Sequence, residues 1–231
     1  MAISRSMTAS ALFLVFLFST PSFAQHLGNS TVVFTCDFPA SDPSHYEVSI
    51  SPGGGGSYSS QPRAVQDAGS DPKTEVSAPE VYRTDFRVSS TTASRIFDFA
   101  KRANYFSGNF DSGKKKIAST GMKTLVYRSP DRSTSTAYNY SENSAIQELT
   151  STFQDLSITL EFGRRLDYDL RFQKTAIEAE LKSMEEMQGG GSLVEVSAVA
   201  PILQKIADDQ SIMNISRSRA LRLLAKSGIP K

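Results

Sequence analysis

The chain has one cysteine, two histidines and no tryptophan in 231 residues. A single cysteine excludes an intrachain disulfide. No histidine or cysteine pair stands at metal-ligand spacing, and no acidic calcium loop is present, so neither a cofactor nor a metal is expected. A surplus charge is missing too, since 25 Lys and Arg stand against 24 Asp and Glu. A general nucleic-acid binder needs excess cations to neutralise phosphates, so nucleic acid is not an expected partner. No stretch approaches the ~18 apolar residues of a membrane helix, so no membrane span is expected in the mature chain.

The beginning of the chain carries a different signal. Arg5 lies in a short polar start, and Ala11 to Phe18 then run without a polar residue. Ser19, Thr20 and Pro21 break the run, and Ser22 and Ala24 place small residues three and one before Gln25. That order is a secretory signal, with cleavage expected between Ala24 and Gln25 and export to the periplasm or beyond the cell. Removing 24 of the 231 residues leaves 207 and takes away Arg5, so the charges balance at 24 of each sign. Cys36 does not directly follow the apolar segment, so a lipid anchor is not expected. Alternation places Val32, Phe34 and Cys36 on one strand face. Cys36 is therefore read as a free, buried thiol acting as a small hydrophobe. An intermolecular disulfide is the alternative for an odd cysteine in an exported protein.

The first half reads as strands between polar loops. His45 to Ser51 alternates, Gly53 to Gly56 supplies a turn, and Ser57 to Ser60 follows. Residues 61–79 hold three prolines and read as a long exposed loop. Glu80 to Val88 alternates with Tyr82, Phe86 and Val88 inward. Ser89, Ser90 and Thr91 offer caps for a short helix carrying Ala93, Ile96, Phe97, Ala100 and Ala103. Strands near Met122–Arg128 and Ser135–Tyr140 follow, the latter with Tyr138 and Tyr140 on one face. A long helical pattern then runs from Ser144 to Met187. If continuous it would be 44 residues, about 66 Å long, so it is expected to bend, at Gly163, or to project. Within it, Leu156 to Phe162 also alternates like a strand, but helical spacing flanks it on both sides. Gly189-Gly190-Gly191 breaks the pattern, and Ala198–Asp208 and Ser211–Lys226 read as two short helices. The expected organisation is a signal segment over 1–24, an α+β domain over 25–188, and a linker with a helical appendage over 189–231.

Catalytic constellations are sparse. Gly108 to Lys114 fits most of a phosphate loop, but Lys115 stands where Ser or Thr must hold magnesium, and the strand–helix context is reversed. Ser112 with Lys115 and Ser70 with Lys73 match S-x-x-K, a chance outcome in a chain with 35 serines that lacks the companion motifs. Acid–base work by histidine would have to use His45; Glu47, two residues on, can share its strand face, but the pair does not read as a dyad and His45 reads as an edge or surface residue. Asp37, Asp42 and His45 are close enough in sequence to share a loop, which reads as a solvated turn. Sugar binding favours flat aromatic rings, and without tryptophan only Tyr138 and Tyr140 support it. Glu178, Glu180, Glu185 and Glu186 form a charged helix face, with Glu178 and Lys182 an i,i+4 pair. Arg217, Arg219, Arg222, Lys226 and Lys231 make the C-terminal end basic.

The run Leu160-Glu161-Phe162-Gly163-Arg164-Arg165-Leu166, continuing through Ala179–Lys182 and Met184–Glu186, resembles hypothetical exported proteins of acidobacteria. The tail from Pro201 to Leu203, with Ile206–Asp209 and Met213–Arg217, is similar to theirs. The resemblance implies an exported compartment and a helix over Leu156–Phe162, and supplies no site residues. The expected fold is α+β: an antiparallel sheet of about five strands, packed by one short and one long helix, with a C-terminal helical pair. The expected function is a non-enzymatic periplasmic interaction or binding module, with a protein partner or self-association through the helical region. A small envelope hydrolase, or a hydrolase inhibitor, is the alternative.

Overall fold

The computed structural model describes residues 30–63, 80–114 and 118–227. The cleavage site at Ala24 and Gln25, most of the loop expected over 61–79, and the Ser70–Lys73 match lie outside the described residues. So does Lys115.

The fold is α+β. Six antiparallel strands form one sheet: β1 (Thr31–Asp37), β2 (His45–Ile50), β3 (Gly55–Gln61), β4 (Tyr82–Arg87), β5 (Met122–Ser129) and β6 (Arg132–Tyr138). Their order is β4-β3-β2-β1-β5-β6, one strand more than expected. Gln61, placed in a loop by the sequence reading, ends β3 instead. Alternation sets which side each residue faces. Val32, Phe34 and Cys36 are buried, as are their cross-strand neighbours Ile50, Val48 and Tyr46. The other face carries Thr31, Thr35, Glu47, Ser49, Ser57 and Ser59, exposed or half-exposed, with Val33 buried among them.

Two helices cover the apolar face. In α1 (Ser90–Arg102), Ala93, Ile96 and Ala100 are buried, and the Ser89 hydroxyl caps the Thr92 amide. Glu195 accepts further bonds from the Ser89 amide and hydroxyl, at 2.9 and 2.7 Å, putting a carboxylate at the positive end of α1. Beyond α1, Asn104, Tyr105 and Phe106 all have positive φ, between 47° and 66°. Consecutive left-handed L-residues are costly. Two contacts hold them: Phe106 is fully buried, and the Tyr105 ring lies 4.7 Å from that of Tyr127.

The long helical signal resolves into α2 (Ser144–Phe172) and α3 (Ile177–Gly189). The expected bend at Gly163 or projection is replaced by a break: α2 is continuous through Gly163 and ends at Phe172, capped by Gln173, and Lys174 then bonds Asp209 and Ser211. Leu156 to Phe162 is helix. Gly163 matters for another reason. A Cβ there would lie 2.7 Å from Val199 Cγ1, in the 3-10 turn Val196–Val199 that presses on α2. After this turn come α4 (Ala200–Asp208) and α5 (Asn214–Lys226). Their buried residues join the same apolar cluster as the sheet, α1 and α2.

The acidic face of α3 and the basic end of the chain meet each other. Glu185 pairs with Arg219 and Arg222, and Glu178 with Arg219 rather than with Lys182. Lys182 instead approaches Glu186 at 4.0 Å. The Arg222 bond, then the Arg219 bond, holds the Glu185 carboxyl below its ordinary value. The Ser211 hydroxyl and amide, with Lys174, pull Asp209 from 3.8 down to about 2.

Two outcomes follow from this packing. Gly163→Ala is expected to cost about 1–3 kcal/mol in urea denaturation, because β-branched Val199 yields little. Val199→Ala in the same chain should recover part of the loss. For the carboxylates, folded values lie below unfolded ones, so their stabilisation is present above the unfolded value and disappears as pH falls through the folded value. The urea midpoint should drop between about pH 4.5 and 2, and drop less in a chain carrying Glu185→Gln and Asp209→Asn.

Candidate functional site

The second half of α2 sends a polar stripe toward the sheet's β4 edge. Glu161, Arg164, Tyr168 and Phe172 follow at helical spacing. Glu161 lies in the apolar layer, and a buried carboxylate is costly unless paired and hydrogen-bonded. Both conditions are met. The Tyr58 hydroxyl of β3 donates to Glu161 Oε1 at 2.7 Å, and Arg164 Nε donates to Oε2 at 2.7 Å. Burial, then the Glu161 charge, pushes the Tyr58 phenol far above its ordinary value, so it stays a donor. Burial also raises Tyr82.

Arg164 carries this cluster to the surface, where a groove of about 850 Å³ opens between β4 and α2. Pro62 and Glu80 to Thr84 form the strand side, and Arg164, Asp167, Tyr168, Arg171 and Phe172 the helix side. Tyr168 and Phe172 are 50% and 69% exposed, their ring centroids 5.0 Å apart. Arg171 pairs with Asp167 at 2.6 Å. Arg83 makes no ion pair among the described residues. Among the described residues β4 is an edge strand, paired with β3 and no other strand.

At the other end of α2 a second, smaller pocket of about 320 Å³ lies against β6. Its floor is Lys123, which is 3% exposed. The ammonium donates to Thr120 Oγ1 at 2.9 Å, to the Gly121 and Asn139 carbonyls at 3.0 Å, and to the Thr120 carbonyl at 3.3 Å.

The residues singled out from sequence fall mostly elsewhere. Cys36 is a free, buried thiol beside Tyr46 and Lys123. Burial pushes its pKa up, outweighing the pull of the Tyr46 hydroxyl and the Lys123 charge. A nucleophilic cysteine needs the opposite environment. His45 meets Asp37 at 2.6 Å across the β1–β2 register, not Glu47, and both groups are largely exposed. Asp42 lies apart from them, accepting from the Arg63 amide. Among the described residues no three His, Cys, Asp or Glu side chains form a metal-binding group. The Gly108–Lys114 loop turns its amides on itself: Asn109 accepts from the Asp111 amide and Asp111 from the Gly113 amide. Lys114 pairs with Glu142. Those groups are committed, not directed at a phosphate. Tyr138 and Tyr140 both line the smaller pocket, Tyr138 buried and Tyr140 39% exposed. The β4–α2 groove escaped the sequence reading, although Glu161 was a lone acid among apolar neighbours, and Tyr168 and Phe172 lay off the leucine stripe. No protein-family model matches the chain, and no curated protein matches it.

The Cys36 environment has a direct test. In native protein, an aromatic disulfide reagent should label Cys36 only slowly. The rate should rise steeply where urea unfolds the chain. Rapid labelling of folded protein at neutral pH would contradict a sealed, protonated thiol.

Proposed function

We propose that this chain is an exported, non-catalytic binding module that takes an extended segment of a protein partner into the β4–α2 groove. The observation that carries this reading is an edge strand with no second strand partner among the described residues, beside an exposed aromatic pair on the opposite wall of the groove. Strand addition uses such an edge: backbone bonds supply affinity, and alternate side chains of the incoming segment fill the groove. The exposed rings of Tyr168 and Phe172, with Val81, favour apolar side chains on that segment. Arg83, which alternation turns toward the other sheet face at the groove's rim and which lacks an ion pair among the described residues, favours a carboxylate at that rim. Arg164 is anchored by Glu161 and Arg171 by Asp167, so both guanidinium groups are held in place before a ligand arrives. The signal pattern ahead of Gln25 supports export to the periplasm or the extracellular space.

Selection of the full chain against a random-peptide display library tests the proposal. Enriched peptides should alternate apolar residues with Asp or Glu. Isotope-labelled protein should show their amide shifts at 82–84 and 164–172. Tyr168→Ala with Phe172→Ala should weaken binding at least tenfold, and Arg83→Glu by a similar factor, with the thermal midpoint unchanged. Shifts confined to another face would overturn the groove assignment. Covalent labelling by a serine-hydrolase probe would overturn the non-catalytic reading.

A further inference from the structure

The smaller pocket does not belong to the peptide groove. It uses the first half of α2, where Gln147, Thr150, Ser151 and Gln154 form one stripe, and faces the end of β6. Its lining also includes Thr120, Lys123, Asn139 and Tyr140, with no carboxylate. We infer that it is a binding site for a neutral saccharide ring.

The chemistry of the lining selects the ligand class. Among the described lining residues Lys123 brings the only charge, and its ammonium has three protons. Four protein oxygens within 3.3 Å already receive them, so no donor is left over for an anion. Tyr138 and Thr150 are occupied with each other, hydroxyl to hydroxyl at 2.6 Å, and Thr150 also donates to the Ile146 carbonyl. What remains is neutral and of both polarities. Gln147 spends its amide protons on Tyr140 Oη and the Ser141 carbonyl, leaving Oε1 as an acceptor. The Gln154 amide lines the pocket with no hydrogen bond among the described residues, offering two donors and an acceptor. The Ser151 hydroxyl donates only a long bond, 3.4 Å, to Asp155 and retains its acceptor sites. Sugar hydroxyls both donate and accept, and match such a set better than a phosphate or an aliphatic chain does. The half-exposed Tyr140 ring supplies the apolar surface that a sugar's C–H face needs, held at its hydroxyl by Gln147. A volume of about 320 Å³ admits one or two rings, at the small end of ligand pockets.

Saturation-transfer NMR and calorimetry on the full chain test this with glucose, galactose, N-acetylglucosamine and their β-1,4 dimers. Inorganic phosphate and glucuronate serve as anionic controls. At least one neutral sugar should bind with a Kd of order millimolar, and neither anion should bind more tightly. Tyr140→Ala and Gln154→Ala should each weaken binding about tenfold, Tyr140→Phe should restore most of it, and Phe172→Ala should leave it unchanged. No transfer from any neutral sugar up to about 50 mM would overturn the inference. Tighter binding of phosphate or glucuronate would overturn it as well, as would binding that survives both alanine variants.

Discussion

The burial of α2 on two sides is the constraint around which the rest of this fold is arranged. On one side Phe153 stacks flat against Phe34 of the sheet, with ring centroids 5.2 Å apart and planes 1° from parallel. On another, Gly163 admits Val199 close to the helix backbone. A helix buried on one side needs only a stripe of apolar residues, whereas one enclosed on two needs a second covering layer. The C-terminal helices supply that layer, and Leu203, Ile206 and Leu223 join the core that contains Phe34 and Leu156. Glu195 fastens the same segment to the start of α1. The chain after Gly191 therefore completes the core around the helix.

Enclosure also explains the polar residues within α2. Thr159 is fully buried and donates its hydroxyl to the Val194 carbonyl at 2.6 Å, satisfying a loop that runs over the helix. Glu161, which meets the sheet at Tyr58, is buried as well and needs both Tyr58 and Arg164. Losing either partner would leave a carboxylate in the apolar layer with part of its bonding missing, which is costly. Beyond Leu166 the covering thins. Tyr168 and Phe172 emerge one and two turns further along, next to the guanidinium that Glu161 holds. The groove is thus the place where the enclosed part of the helix ends, and its charged wall is fixed by a buried pair.

Much of the fold was legible because simple periodicities survive wherever an element is buried on one face. Val32, Phe34 and Cys36 behaved as the alternation of β1 required, as did Ile96 and Ala100 in α1. Legibility failed where tertiary contacts replaced local ones. Leu156 to Phe162 reads as helix despite its strand-like alternation, and is helix, but which of its residues are buried was not legible: Ser157 and Thr159 are buried while Ile158 is 40% exposed. The break after Phe172 carries no glycine or proline, and contacts of Lys174 with the α4–α5 connection mark it. Glu178 had a favourable partner four residues on, yet Arg219 reaches it from a separate helix. His45 is exposed, as an edge or surface histidine should be, while its contact with Asp37 comes from the β1–β2 register. The groove was hidden for the same reason, since its two walls, β4 and the end of α2, are some eighty residues apart in the chain.

The charge balance acquires a different meaning in three dimensions. A near-neutral total with an acidic stretch and a basic end suggests two surfaces of opposite sign, each available to a partner. The folded chain joins them: Arg219 and Arg222 meet Glu185 and Glu178 between α3 and α5, while Arg217 Nε donates to the Ala207 carbonyl. Side chains already paired at this proximity would have to exchange one partner for another on binding, which returns little free energy. Arg219 and Arg222 are therefore already engaged within the fold, although composition alone makes the C-terminal end look like a free basic surface. Under the readings proposed above, recognition would fall instead to places where polar capacity is uncommitted among the described residues: Arg83 on the β4 edge strand, and the Gln154 amide above a lysine whose protons are already taken. In a chain with neither surplus charge nor tryptophan, such local remainders distinguish a surface that binds from one that is only solvated.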